Sequence, residues 1–330
     1  MAVVENPPPV GEGRVGARLD RTLPLRGGGR SGTLRARMWR ERWMYLLLLP
    51  GLAYIVLFRY APLIGNVIAF QDYSPYLGFT DSAWVGLRNF SDLLTDADVG
   101  TALVNTLVIS GLQLVLFFPA PIALALLLNS LMTDGIRRAI QSVIYLPHFI
   151  GWVIVVSIWQ QVLGGDGFVN QLLRSQAMHT VNVMANPDLF KPLMVAQDIW
   201  KEVGWGTIIF LAALTAIDVS LYEAAAIDGA TWWRRLRHVT LPGISGVVVL
   251  LLILRLGGIL TVGFEQILLQ QPNVGARAGQ VLDTFVYFQG VVGGDWGLGA
   301  AVGLLKGALG TLLVVGANWA VKRLGQDGVF

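Results

Sequence analysis

Asp198, Glu202, Arg255 and Lys306 stand inside stretches that are otherwise almost continuously apolar. Charges in such surroundings are costly unless they pair or face a wet cavity. Two chemistries suit them. One is an ion-pair network that locks helices together. The other is a polar lining in which these groups, with Trp200, Trp205 and Gln266, hydrogen-bond a hydroxyl-rich solute while the indole faces stack on its C–H surfaces. At about 1.5 Å per helical residue, Glu202, Arg255 and Lys306 fall at one level, near the middle of an apolar slab of about 30 Å. Matched depth and opposite sign predict a Glu202–Arg255 pair, with Lys306 the rival partner for Glu202. Asp198, four residues before Glu202, is expected on the same helix face. Glu265 and Gln266 sit towards the end of an apolar run, where they would meet incoming solute or lipid headgroups. His148, next to Pro147, reads as a satisfied structural donor rather than a proton relay.

Bond-making chemistry has no visible apparatus. The sequence contains no G-x-x-x-x-G-K-[ST] phosphate loop, no Ser–His–Asp set and no glycine-rich dinucleotide turn. The three histidines (His148, His179, His238) are scattered, and there is no cysteine, which excludes disulfides and cysteine metal sites. We therefore expect no catalytic residue, no metal and no cofactor. Any energy source has to come from a partner.

The elements that must position these residues are set by composition. Of 330 residues 54% are apolar and 14% charged, with a mean hydropathy of +0.60. A soluble domain carries about 25% charged residues to cover its surface, so this chain needs a bilayer. Spans of roughly 20 mainly apolar residues are expected at 43–70, 102–131, 140–163, 193–217, 244–270 and 297–321. Pro50, Arg59 and Pro62 interrupt the first, and Pro119 and Pro121 the second, so kinks or local unwinding are expected there. The expected class is an all-α polytopic membrane protein of about six transmembrane helices. No strong internal repeat is visible.

Six spans put both termini on one side. With the N-terminus inside, the segments 1–42, 132–139, 218–243 and 322–330 hold sixteen Lys and Arg, whereas 71–101, 164–192 and 271–296 hold four. The positive-inside rule then predicts cytoplasmic termini. The net charge of +3 is thus a topology signal, and no nucleic-acid partner is expected. Residues 1–42, with Pro7-Pro8-Pro9, a triple glycine and nine arginines, cannot bury enough apolar surface to offset ordering entropy, and read as a disordered cytoplasmic tail. The tail does not read as a signal peptide. Residues 43–325 form the membrane domain and 326–330 a short cytoplasmic end. Trp39 and Trp43 suit an interfacial belt.

Between spans four and five the chain reads Glu223-Ala224-Ala225-Ala226-Ile227-Asp228-Gly229-Ala230, then Thr231-Trp232-Trp233-Arg234-Arg235-Leu236-Arg237-His238-Val239-Thr240-Leu241-Pro242. Ala-rich sequence favours helix, Gly229 suits a C′ position with positive φ, and Pro242 is expected to stop a second short, basic helix. Helix physics alone leaves two readings, an amphipathic segment on lipid headgroups or a docking device. The pattern Glu-Ala-Ala, three residues, Gly, nine residues, an aliphatic residue, one more and Leu-Pro resembles the EAA loop of ABC importer permeases. Val239 stands where that family usually has Ile.

The resemblance covers roughly residues 43–325. Leu49-Pro50-Gly51, Ala69-Phe70-Gln71-Asp72-Tyr73, Val85-Gly86-Leu87-Arg88-Asn89-Phe90 and Asn105-Thr106-Leu107 resemble the maltose-permease (MalF-type) superfamily. Tyr145-Leu146-Pro147-His148-Phe149, Asp198 to Gly206 and Gly263-Phe264-Glu265-Gln266-Ile267 resemble its LplB-type branch of polysaccharide and oligosaccharide permeases.

The resemblance implies a type I ABC importer permease fold in a bacterial cytoplasmic membrane. It implies one half of a pore completed by a second homologous permease, two cytoplasmic ATP-binding subunits and an external or periplasmic solute-binding protein that delivers a sugar. Glu223, Ala224, Ala225, Asp228, Gly229, Leu241 and Pro242 would couple the pore to ATP hydrolysis. Alternatives are the same importer type for a glycerol phosphoester or amino acid, or an ion-coupled secondary carrier. The carrier would need no cytoplasmic docking helices and usually shows two related halves.

Overall fold

The computed structural model describes residues 39, 41–130, 133–323, 325 and 328. The expected disordered tail therefore lies almost wholly outside the described residues, as does most of 326–330. Contacts divide the chain at Ala61/Pro62. The first unit contributes one long helix, α1 (Arg42–Ile55), which passes through Pro50, buries no side chain and ends in a π-turn at Val56–Tyr60.

The second unit carries the remaining long helices. They are α2 (Ala97–Leu112), α3 (Pro119–Asn129), α4 (Asp134–Tyr145), α5 (Trp152–Leu163), α6 (Pro187–Thr215), α7 (Val219–Ile227), α8 (Leu241–Gly257), α9 (Phe264–Val274) and α10 (Trp296–Arg323). A two-residue antiparallel pair, β1 (Gln71–Asp72) with β2 (Ala83–Trp84), ties down the loop before α2. Asp96 caps α2 by accepting from the Asp98 amide at 2.7 Å. Asn186 caps α6 in the same way from Asp188, with Pro187 in the first turn, where its missing N–H costs nothing.

Among the described residues, five helical runs are long and apolar enough to cross a membrane: Arg42–Phe70, Ala97–Asn129, Trp152–Ser175, Trp232–Gly257 and Trp296–Arg323. A sixth is reached when α6, which carries Asp198, Lys201 and Glu202, is taken together with α7, from which it is bent by 67°. The 29 residues of α6 reach about 44 Å at 1.5 Å each, long enough for the apolar layer, but their charges keep α6 from matching the other five in hydropathy.

Three boundaries differ from the sequence expectation. The stretch 140–163 is not one span. Pro147 and Gly151 break it, so that amphipathic α4 stops at Tyr145, a 3₁₀ turn covers Leu146–Phe149, and α5 starts afresh at Trp152. The stretch 244–270 ends early, at Gly257. Residues 259–262 are apolar except for Thr261 but non-helical, with Leu260 and Val262 buried in two different core clusters. The third difference is that Pro242 does not stop its helix. The backbone runs from Trp232–Arg235 through a π-turn at Leu236–Thr240 straight into α8.

That π-turn is one of three in the same register. Val56–Tyr60 ends two residues before Pro62, Gln113–Phe117 two before Pro119, and Leu236–Thr240 two before Pro242. In an α-helix a proline ring clashes with the carbonyl four residues back and supplies no N–H. The wider turn relieves the clash, and the helix survives with its i→i+5 bonds, such as Phe118 N–H to Gln113 O at 2.9 Å. The expected interruptions are therefore accommodated rather than broken.

Helices meet closely where glycine permits. A Cβ on Gly310 of α10 would lie 2.6 Å from the Gly257 carbonyl of α8. Backbone-to-backbone approach of this kind is the usual glue of membrane helices, where the hydrophobic effect offers little.

Candidate functional site

Two clusters of polar side chains sit on α6, four residues apart. At the first, Gln113 at the start of its π-turn is buried between two charges. Its amide N–H donates to Asp198 Oδ2 of α6, while its amide oxygen accepts from Arg255 Nη2 of α8 at 2.7 Å. The Arg255 guanidinium also lies 5.6 Å from the Phe117 ring centroid. One neutral amide thus joins acid and base, with its dipole aligned to both.

The second cluster surrounds Glu202. Its Oε1 accepts from Lys201 Nζ at 2.7 Å, and its Oε2 lies 2.6 Å from His148 Nδ1. Lys201 also donates to the His148 carbonyl at 2.8 Å and sits 5.5 Å from the Trp152 ring. The turn broken by Pro147 is what carries His148 to α6. There its imidazole stacks on Trp205, with ring centres 4.4 Å apart and planes 3° from parallel. Trp205 is 46% exposed, so this stack presents an aromatic face beside a carboxylate. Trp200, 38% exposed, packs edge-on against Trp159 at 6.4 Å.

These partners correct the predicted pairing. Glu202 bonds neither Arg255 nor Lys306. Lys306 of α10 pairs with Asp283 instead. Gln266 is 0% exposed, so it does not line a cavity. It donates to the Met194 carbonyl and to Gln197 Oε1, both at 2.9 Å, in a buried amide cluster completed by Gln270. Glu265, one residue earlier, is exposed. Gln113, Lys201 and His148 were not among the expected site residues. A glutamine and a lysine inside apolar stretches were the signals that could have found the first two. His148 does act as a satisfied donor or acceptor, but towards Glu202, which ties it to the site.

At the end of α6 the chain turns sharply. The Asp218 side chain caps α7 by accepting from the Ser220 amide at 2.9 Å. Those hydrogen bonds hold its carboxyl below the ordinary aspartate pKa. Gly229 has φ +70°. The N–H of Ala230 bonds the Ala225 carbonyl at 2.8 Å and that of Gly229 bonds Ala226 at 3.0 Å, a Schellman ending. Glu223, Ala224, Asp228, Gly229, Leu241 and Pro242 are exposed and Ala225 half-buried. The Tyr222 and Thr240 hydroxyls, 3.0 Å apart, fasten the two arms of the loop to each other.

Residues 117–326 match the family model for the inner membrane component of binding-protein-dependent transport systems. That range holds the loop and nearly all of both charged clusters. The chain belongs to this family. It is 44% identical to the protein LplB of Bacillus subtilis (strain 168), over 94% of this chain and 98% of that one. It is also 44% identical to the polygalacturonan/rhamnogalacturonan transport permease YteP of the same organism, over 90% and 93%. Among solved structures it resembles a chain of a bacterial alginate ABC transporter in complex with an alginate-bound periplasmic protein, with TM-score 0.83, 35% identity, and 90% and 100% coverage. The chain is accordingly a multi-pass inner-membrane permease subunit of an ABC importer, and not itself an enzyme.

Proposed function

We propose that this permease forms half of a pore for an oligo- or polysaccharide, with both termini cytoplasmic and an ATP-hydrolysing subunit docked on Glu223–Pro242. A second permease would complete the pore, and a solute-binding protein would deliver the sugar from outside. ATP binding would favour the outward-open state and hydrolysis would reset it, because ATP and substrate bind the two states with different affinity.

The substrate reading is carried by full-length similarity to a polygalacturonan/rhamnogalacturonan permease. The His148–Trp205 stack beside Glu202 supports it, since an indole face and a carboxylate suit the C–H surface and hydroxyls of a pyranose. Trp205→Ala should lower oligogalacturonide uptake several-fold, since an aromatic contact is worth about 1 kcal/mol. Trp43→Ala serves as the control that leaves uptake alone. Equal uptake by wild type and Trp205→Ala would remove the stack from the sugar path.

A further inference from the structure

Between the loop and the end of α3 lies a cavity of about 230 Å³ lined by Leu126, Asn129, Tyr222, Trp232, Arg235 and Thr240, among others. Arg235 Nε is buried there and no acceptor among the described residues reaches it. A buried guanidinium N–H without an acceptor is costly and calls for a partner. The other polar groups in the wall are three hydroxyls, one amide and an indole N–H, and among the described residues no carboxylate lines the cavity. The buried Arg235 N–H therefore lacks a partner beside hydroxyls and an amide, and an anion with several acceptor oxygens would satisfy this guanidinium and its polar neighbours together.

Position selects which anion. Leu126 still belongs to the apolar run Ala97–Asn129, and Asn129 is its last residue. The cavity opens where the apolar layer gives way to headgroups, and Trp232 is a residue type that favours that level. We propose that it binds the phosphodiester of an anionic phospholipid. The Arg235 guanidinium would donate to phosphate oxygens, the Asn129 amide and the Tyr222 or Thr240 hydroxyl would add further bonds, and an acyl chain would run along Leu126. Basic pockets between helices at a membrane surface are suited to such headgroups. Because Tyr222 and Arg235 belong to opposite arms of the loop, the bound lipid would brace the loop against α3. This consequence for coupling rests on the docking role proposed above, whereas lipid binding itself does not.

The test is lipid retention by the assembled importer in nanodiscs, read by native mass spectrometry with phosphatidylcholine and phosphatidylglycerol in competition. Wild type should retain phosphatidylglycerol selectively. Arg235→Gln should lose that selectivity, while Arg234→Gln, outside the cavity wall, should keep it. Should Arg235→Gln fail to assemble, Asn129→Leu takes its place and should show the same loss. Inorganic phosphate should not displace the lipid. Displacement by phosphate would make this a free-anion site and overturn the lipid assignment. Absence of selectivity in wild type would overturn it too, as would full retention by the cavity variants or protection of Arg235 by the docked ATPase subunit instead of by lipid.

Discussion

Gln113 does between α6 and α8 what a direct ion pair would otherwise do, and it changes which substitutions should couple. Removing one charge of a buried pair costs about 3–5 kcal/mol, because the other is left stranded. Asp198→Asn and Arg255→Met should each lower the thermal stability of the purified assembly, and the double variant should recover part of the loss. The same cycle on Glu202→Gln and Arg255→Met should be additive to within about 0.5 kcal/mol. Coupling in the second cycle and additivity in the first would contradict the hydrogen bonds described here. That charges inside apolar stretches need polar partners was legible from hydropathy alone. Their partners were not, because counting residues gives depth but not azimuth. Asp198 and Glu202 lie about 40° apart around α6, enough for one to meet Gln113 and the other His148. At Gly229 the local sequence was sufficient, since φ +70° is a backbone demand that neighbours do not alter. Gly229→Val should add a strain of about 1–3 kcal/mol, leave membrane insertion intact and reduce copurification with the ATPase subunit.

Helix existence was readable wherever apolar runs are long, and helix ends were misread wherever tertiary contacts bury non-helical backbone. Residues 259–262 illustrate the second case: hydropathy continues through them, yet Leu260 and Val262 fill core clusters from an irregular segment. The proline π-turns were invisible for a different reason. A proline announces a conflict, but whether the helix breaks or widens depends on what holds its two sides. Replacing Pro242 with alanine removes the clash. The turn at Leu236–Thr240 should relax to α-helical geometry, rotate Trp232–Arg235 relative to α8, and lower ATP-driven uptake while expression stays normal. Unchanged uptake would mean that the widened turn plays no part in coupling. Packing offers a paired test. Gly310→Val meets the Gly257 carbonyl, whereas a side chain at Gly303 meets nothing within 4 Å. Overpacking typically costs about 1–3 kcal/mol, so Gly310→Val should lower the melting temperature of the assembly and Gly303→Val should not.

At the scale of the whole molecule, the capped ends of α2 and α6 and the loop after α6 mark the two proposed faces of the membrane. Cysteines placed at Asp96 and Asn186 should react with an impermeant reagent outside intact cells, and cysteines at Arg137 and Arg234 should not. The charge asymmetry that predicts this orientation is legible in sequence because lysine and arginine are sorted during insertion, before any packing occurs. The central claim is that sugar movement through this pore is driven by ATP hydrolysed in a partner subunit docked on the Glu223–Pro242 loop. The direct measurement is uptake of labelled oligogalacturonide into proteoliposomes holding the full importer, with and without ATP and binding protein, for wild type and Gly229→Val. Uptake by wild type should require both ATP and the binding protein, and should fall towards background in Gly229→Val. Uptake driven by an ion gradient without ATP, or undiminished in Gly229→Val, would contradict the account.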